Sequence, residues 1–425
     1  MKVAFYTLGC KVNQYETNVM IEKFSKRGYE IVPFNTIADI YVINTCTVTN
    51  MSDRKSRQMI QRAKRLNPKS IMVVVGCLAQ VGKEKLEQIP EIDLILGNED
   101  KKDIIQYVEN FDSNSSKCFV SDIMKYDKYN VEELSTIYEK TRATIKIQDG
   151  CNNYCSYCII PYARGKIRSK PFKDVLNEVY NIVKNGYKEI VLTGIHVCSY
   201  GKDLCNISLI DVLEKLNQVE GLERIRLSSL EPNIISEEFL QRLSKLEKVC
   251  PHFHLSLQSC CDKILKSMNR KYLTSDIERI VNSIRNTYEN SNITCDIIVG
   301  FPGETEDDFE CTYSILKKLR LNKLHVFQYS KREGTVAAKM LNQVEPDIKH
   351  ERSQRLIKLS DSVEKEILSK YVGKRMFVLT EELNGEYTKG FTDNYLHTKI
   401  VGKIDCNEII EVQVIDIQEN YLICK

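Results

Sequence analysis

The sequence predicts an α/β protein in three parts: an N-terminal parallel α/β sandwich, a central incomplete (β/α)6 barrel and a small C-terminal antiparallel β-barrel. Three observations predict it. Short β-branched runs alternate with amphipathic stretches through residues 1–110, which suits a parallel sheet covered on both faces. The alternation lapses over residues 111–142 and resumes through 143–345 with six strand-sized runs, too few for an eight-unit barrel. After a polar helical stretch at 346–370, residues 371–425 change to short β-rich runs split by Asn-Gly, Asp-Asn and Glu-Asn turns, as in a small antiparallel barrel.

Taken in order, Val3–Leu8 reads as the first strand and Gln14–Lys26 as the first helix. Ile40–Asn44, Ile71–Val75 and Asp93–Leu96 continue the strands, with a helix over Ser52–Leu66. The segment 111–142 mixes Ser, Asn, Asp, Lys and Tyr without a period and reads as a connector. The second series has strands at Thr144–Gln148, Glu189–Thr193, Arg224–Ser228, His254–Gln258, Thr294–Val299 and His325–Tyr329. A helix over Pro346–Ser369 leads to the last runs, Arg375–Glu382, Glu386–Thr392, His397–Val401 and Glu408–Ile417.

At 425 residues and 42% hydrophobic composition the chain can bury a large core in two or three domains. Its longest apolar runs, such as Ile71–Gly76, fall well short of the roughly 20 residues of a membrane span. The opening residues carry no secretory pattern, so the expectation is a cytoplasmic protein without a membrane partner. Sixteen cysteines in such a chain point to thiolate ligation of metal rather than a disulfide framework. The net charge of +3 is too small to argue for nucleic acid. Its distribution says more, because residues 51–70 hold seven basic side chains against one acid.

Three cysteines crowd the loop after the first barrel strand, in Asp149-Gly-Cys151-Asn-Asn-Tyr-Cys155-Ser-Tyr-Cys158. Soft thiolates favour zinc or an iron–sulfur cluster. Zinc usually closes its site with a fourth ligand, and no second pair lies nearby. A four-iron cluster on three thiolates leaves one iron open to chelate S-adenosylmethionine, whose reductive cleavage yields a 5′-deoxyadenosyl radical. A zinc loop remains the alternative. Cys10, Cys46 and Cys77 each follow a strand, in Leu-Gly-Cys10, Asn-Thr-Cys46 and Val-Gly-Cys77. On parallel strands their thiols would emerge at one sheet edge, where open α/β sheets bind ligands. They could hold a second cluster, one ligand short, or be three buried structural cysteines.

The Cys-x3-Cys-x2-Cys spacing, with Tyr157 before its last cysteine, resembles the radical S-adenosylmethionine superfamily. Nearly the whole chain resembles the methylthiotransferases, and more narrowly those acting on N6-threonylcarbamoyladenosine in tRNA. The residues that carry this are Thr7-Leu-Gly-Cys10-Lys-Val-Asn13-Gln-Tyr-Glu16-Thr17, Asn44-Thr-Cys46-Thr-Val-Thr49 and Asp53-Arg-Lys-Ser-Arg57. Further matches are Lys146-Ile-Gln-Asp-Gly-Cys151, Ile160-Pro-Tyr-Ala-Arg164-Gly165, Leu192-Thr-Gly-Ile-His196, Arg226-Leu-Ser-Ser229, Leu255-Ser-Leu-Gln258-Ser259 and Val326-Phe-Gln-Tyr-Ser-Lys331-Arg332, while Ile297-Ile-Val-Gly300-Phe-Pro-Gly303-Glu304 resembles the superfamily's motif beside the adenine.

The resemblance implies two [4Fe-4S] clusters, on Cys151, Cys155 and Cys158 and on Cys10, Cys46 and Cys77. It implies S-adenosylmethionine contacts at Tyr157, Thr193, Gly194, His196, Ser256, Gln258, Val299 and Gly300. The reaction would convert adenine C2 of N6-threonylcarbamoyladenosine at position 37, in the tRNA anticodon loop, to its 2-methylthio derivative. A flavodoxin-like electron donor and a sulfur donor would serve it. The C-terminal piece resembles a TRAM domain, a small RNA-binding barrel, although its 55 residues hold nine acids against six bases. RNA contact is therefore expected at Arg54, Arg57, Arg62, Arg65, Arg164 and Arg168. Cys198, Cys260 and Cys261 depart from the family pattern. Rival readings are a methylthiotransferase for N6-isopentenyladenosine or a ribosomal protein, and a non-catalytic iron–sulfur protein that binds RNA.

Overall fold

Runs of β-branched residues, backed by helices on both sides, build the first sheet. The computed structural model describes residues 1–112, 117–132, 134 and 141–425. The first strands are β1 (Lys2–Thr7), β2 (Glu30–Val32), β3 (Ile40–Thr45), β4 (Ile71–Gly76), β5 (Leu94–Leu96) and β6 (Cys118–Phe119). They lie in the order β2-β1-β3-β4-β5-β6, all parallel. β3 is buried along its whole length, and separate apolar clusters cover the two faces.

Two short strands of this sheet are not legible in the sequence as strands, nor are Arg168–Ser169 and Tyr421–Cys424 further along the chain. β2 has three residues and β6 two, too few for a period to register. β6 falls inside the expected connector 111–142, so part of that segment belongs to the first sheet. Residues 113–116, 133 and 135–140 of the connector lie outside the described residues. The first helix begins at Lys11 rather than Gln14.

The six barrel strands are β7 (Arg142–Asp149), β9 (Glu189–Gly194), β10 (Arg224–Leu227), β11 (His252–Gln258), β12 (Asn292–Val299) and β13 (Lys323–Gln328), with a two-residue antiparallel strand β8 (Arg168–Ser169) beside β7. All six run parallel. Isolated bridges at Ile225–Val249 and Leu230–Leu255 join the β10 and β11 halves. Six strands cannot close, so the barrel stays open beside β13. The helix Lys11–Lys26 packs between the two domains, its Tyr15 and Val19 sharing the barrel's apolar core.

The helix Pro346–Ser369 covers β13 and leads to β14 (Arg375–Asn384), β15 (Tyr387–Thr392), β16 (His397–Val401), β17 (Ile409–Gln418) and β18 (Tyr421–Cys424). These close as β14-β15-β16-β18-β17. Four pairings are antiparallel and β16–β18 is parallel. This small barrel sits against the amino ends of the large-barrel strands. Arg224 donates to the Phe377 and Phe391 carbonyls, and the His252 and Tyr395 rings stack at 4.7 Å. Among the described residues no helix is long and apolar enough to cross a membrane.

Candidate functional site

β1, β3 and β4 are neighbours, and the strand order reverses between β1 and β3. Such a switch point leaves a crevice at the carboxyl edge of the sheet. Cys10, Cys46 and Cys77 all emerge there. Cys10 caps the helix Lys11–Lys26, Cys46 follows β3 and Cys77 follows β4. Asn13 ties the loops together by donating to the carbonyls of Leu8 (2.9 Å) and Thr45 (3.0 Å). Gly9, at φ +110°, permits the close approach, since a Cβ there would stand 2.8 Å from the Cys46 Cβ. Burial and the neighbouring Cys77 and Cys10 sulfurs push the Cys46 thiol up to about 11. Cys10 is reached by solvent through a cavity, yet enough protein surrounds it that burial raises its thiol too.

The second set follows β7. Gln148, fully buried, donates to the carbonyls of Asp149 and Gly150 and accepts from the His196 amide at 2.7 Å. It thereby pins the cysteine loop to the end of β9. Gly150 (φ +71°) lies so close to Lys166 that a Cβ would fall 1.8 Å from its carbonyl oxygen. Ser156 bonds the Ser267 and Met268 carbonyls, and Asn269 donates to the carbonyls of Asn153 and Tyr154. Arg270 donates to the Cys155 sulfur at 3.3 Å. Burial and the Cys155 and Cys151 sulfurs push the Cys158 thiol up to about 12.

Cys10, Cys151, Cys155 and Cys158 line one cavity of about 720 Å³. Tyr157, Thr193, Gly194, His196, Ser256 and Gln258 line it as well. Val299 and Gly300 lie outside its lining; Val299 is buried, and the space a Cβ would take at Gly300 holds the Lys349 side chain. Cys198, Cys260 and Cys261 are buried and also lie outside it. The Cys198 sulfur accepts the Glu231 amide at 3.2 Å. Glu231 in turn bonds His196 (2.7 Å) and pairs with Arg270 (3.2 Å). Burial opposes the charge on Glu231, but the His196 bond and Arg270 hold its carboxyl down at about 2.

The expectation of RNA contact at Arg164 and Arg168 is corrected, since they are 0% and 4% exposed. Arg164 donates to the Cys77 sulfur (3.2 Å), to Asn13 (2.8 Å) and to both oxygens of Glu16. Arg168 donates to the Arg164 carbonyl. Glu16 also pairs with Lys101 (2.6 Å) and Lys146 (2.8 Å), and Lys146 with Asp149 (2.6 Å). These charges form a buried bridge between the two thiol sets. Arg54, Arg57, Arg62 and Arg65 are exposed on one helix, which buries Ser56, Ile60 and Ala63 instead. That helix begins beside Val48, a residue of the cavity lining.

The sequence reading missed Glu231 and Arg270, because their partners His196 and Cys155 lie far away along the chain. Gln148 stood within the quoted Lys146–Cys151 match, without a role. Asn13 and Glu16 stood within the quoted Thr7–Thr17 signature, without a role.

Among the described residues no three ligating side chains stand close enough to hold a single metal ion. A four-iron cube is held by separate thiolates on separate irons, and each set offers three thiols near enough to influence one another, Cys46 with Cys77 and Cys10 and Cys158 with Cys155 and Cys151.

Residues 2–97 match the model of Uncharacterized protein family UPF0004, and residues 145–316 that of the Radical SAM superfamily. The threonylcarbamoyladenosine tRNA methylthiotransferase MtaB of Bacillus subtilis (strain 168) is 42% identical, over 97% of this chain and 93% of that protein. The tRNA-2-methylthio-N(6)-dimethylallyladenosine synthase of Thermoanaerobacter sp. (strain X514) is 37% identical, over 93% and 85%. The radical S-adenosylmethionine methyltransferase TsrM from Kitasatospora setae shares the fold at a TM-score of 0.59 and 15% identity, over 79% of this chain and 77% of that one. Radical S-adenosylmethionine enzymes work with a [4Fe-4S] cluster and S-adenosylmethionine. The chain belongs to the radical S-adenosylmethionine tRNA methylthiotransferases.

Proposed function

We propose that this enzyme places a methylthio group on adenine C2 of N6-threonylcarbamoyladenosine at position 37 of tRNA. The observation that carries the proposal is the shared cavity, in which Cys10 of one thiol set faces Cys151, Cys155 and Cys158 of the other. A carbon-centred radical must meet its sulfur before it meets anything else, so source and acceptor belong in one chamber. The names of the relatives support the threonylcarbamoyl substrate.

Cys151, Cys155 and Cys158 would hold the radical-generating cluster, and Cys10, Cys46 and Cys77 the second. When bound, the first supplies the electron that cleaves S-adenosylmethionine, and the second the sulfur for transfer. The chain's own residues do the positioning. Arg270 steadies the Cys155 sulfur and Arg164 the Cys77 sulfur. Thr193, Gly194, His196, Ser256 and Gln258 line the space for S-adenosylmethionine. A loop nucleotide can be unstacked into such a pocket at modest cost. Arg54, Arg57, Arg62 and Arg65 would track the phosphates of the anticodon loop toward the cavity, with the C-terminal barrel as further RNA surface. A flavodoxin-like reductant and a separate sulfur donor would serve the reaction in the cytoplasm.

Nucleoside mass spectrometry tests the reading. Reconstituted enzyme, given dithionite, S-adenosylmethionine and tRNA bearing threonylcarbamoyladenosine, will yield the 2-methylthio nucleoside. A chain with Cys10, Cys46 and Cys77 changed to Ala will still yield 5′-deoxyadenosine but no methylthio product. Methylthio product from that variant would refute the assignment of the second set.

A further inference from the structure

The inner wall of the open barrel side has an unusual composition. Cavity-lining residues alternate along three successive strands: His252, His254, Ser256 and Gln258 on β11; Asn292, Thr294 and Asp296 on β12; Lys323, His325 and Phe327 on β13. Barrel interiors are ordinarily filled by layers of branched apolar side chains. This one carries a polar belt half-way down. The strand register sets Asp296 opposite His325. The His254 Nε2 lies 3.2 Å from the Asp296 carboxylate, and its Nδ1 is 2.7 Å from the Thr294 hydroxyl. The rings of His254 and His325 are centred 5.2 Å apart.

Directly above the belt on β13 stands Phe327, its ring open to the cavity at 48% exposure. Two residues along a strand separate Phe327 from His325 by about 7 Å. An exposed aromatic face at the mouth of a pocket is a stacking surface for a base. A polar belt one step deeper then meets whatever hangs from that base. The belt offers a carboxylate as acceptor and imidazole nitrogens as donors or acceptors. His254 bridges Asp296, and Lys323 pairs with Glu364 at 2.6 Å, so neither anion stands bare toward a ligand.

We propose that His254, Asp296 and His325 form the subsite for a hydrogen-bonding arm on the target adenine, with Phe327 carrying the ring. This rests on the reading of the cavity as the pocket for a tRNA adenosine. An arm with amide, hydroxyl and carboxylate groups satisfies the belt. A hydrocarbon arm would leave its polar atoms stripped of water and unpaired, the situation that sites built for hydrogen bonds reject most strongly.

The test uses the reconstituted full-length enzyme and three anticodon hairpins that differ only in the adenine N6 group: threonylcarbamoyl, isopentenyl or none. His325 is exposed, so His325→Leu leaves the core alone, and Asp296→Asn keeps the side-chain shape. Each will raise KM for the threonylcarbamoyl hairpin about tenfold or more, will move the hairpin without an N6 group by less than about twofold, and will not raise KM for the isopentenyl hairpin. Phe327→Leu will raise KM for all three alike. If both belt variants shift the three hairpins equally, or shift none, the subsite is overturned. If the wild-type chain turns over none of the hairpins, the adenosine reading falls and takes the subsite with it.

Discussion

The Arg164 guanidinium donates to the Cys77 sulfur at 3.2 Å while its other nitrogens grip Glu16 and Asn13. One barrel side chain thus reaches a thiol of the N-terminal domain from a fully buried position. Groups bonded to a ligating sulfur orient it and tune its metal. Arg164→Lys keeps the charge but loses the fork that serves three partners. It will fold and lose about half its iron after reconstitution, the share of the second site. Arg164→Ala will cost about 3–5 kcal/mol in denaturant unfolding, because it strands part of a buried ionic network. Full iron in Arg164→Lys would remove the link to Cys77.

Gly150 is irreplaceable on geometric grounds. At φ +71°, with the Lys166 carbonyl where a Cβ would go, alanine meets both strain and overlap. The strain costs about 1–3 kcal/mol, and overpacking a similar amount. Gly150→Ala will melt lower and bind less iron at the Cys151 loop. A melting temperature equal to that of the wild type would contradict the close packing.

Glu231 gives a pH signature. Its folded carboxyl, near 2, lies below the ordinary value of 4.5, with the His196 bond and Arg270 overcoming burial. A depressed carboxyl contributes stability that is complete above the ordinary value and is lost as pH falls through the folded one. The stability gap between the wild-type and Glu231→Gln apoproteins will be flat at neutral pH and will shrink below pH 4.5. A gap that widens on acidification would reverse the assignment.

The exposed arginine stripe predicts a salt effect. Arg57→Ala with Arg62→Ala will weaken tRNA binding and flatten the dependence of log affinity on log salt by roughly 1 for each phosphate no longer neutralised. Arg168→Ala, at a buried site, will leave that slope unchanged. Equal slopes for all three chains would move the RNA elsewhere on the surface.

What is legible without coordinates follows from local chemistry. Cys151, Cys155 and Cys158 share one loop, so their spacing alone brings them together. All six barrel strands and the helix Pro346–Ser369 announce themselves through periodicity, which reports the side of each element that is buried. Cys10, Cys46 and Cys77 need one further premise, that their strands run parallel and side by side.

Only the tertiary structure decided the partners of the charges. An arginine against solvent and an arginine against Glu16 look alike along a chain, which is why the sequence suggests a surface position for Arg164 and Arg168 while both lie inside. Glu231 and Arg270 take their roles from His196 and Cys155, far along the chain, and Gln148 adds the distant His196 amide to two bonds within its own loop. The polar belt of His254, Asp296 and His325 exists only because three strands lie in register. Local sequence records the period of burial; long-range pairing, which selects the partner of each buried polar group, is a property of the closed fold.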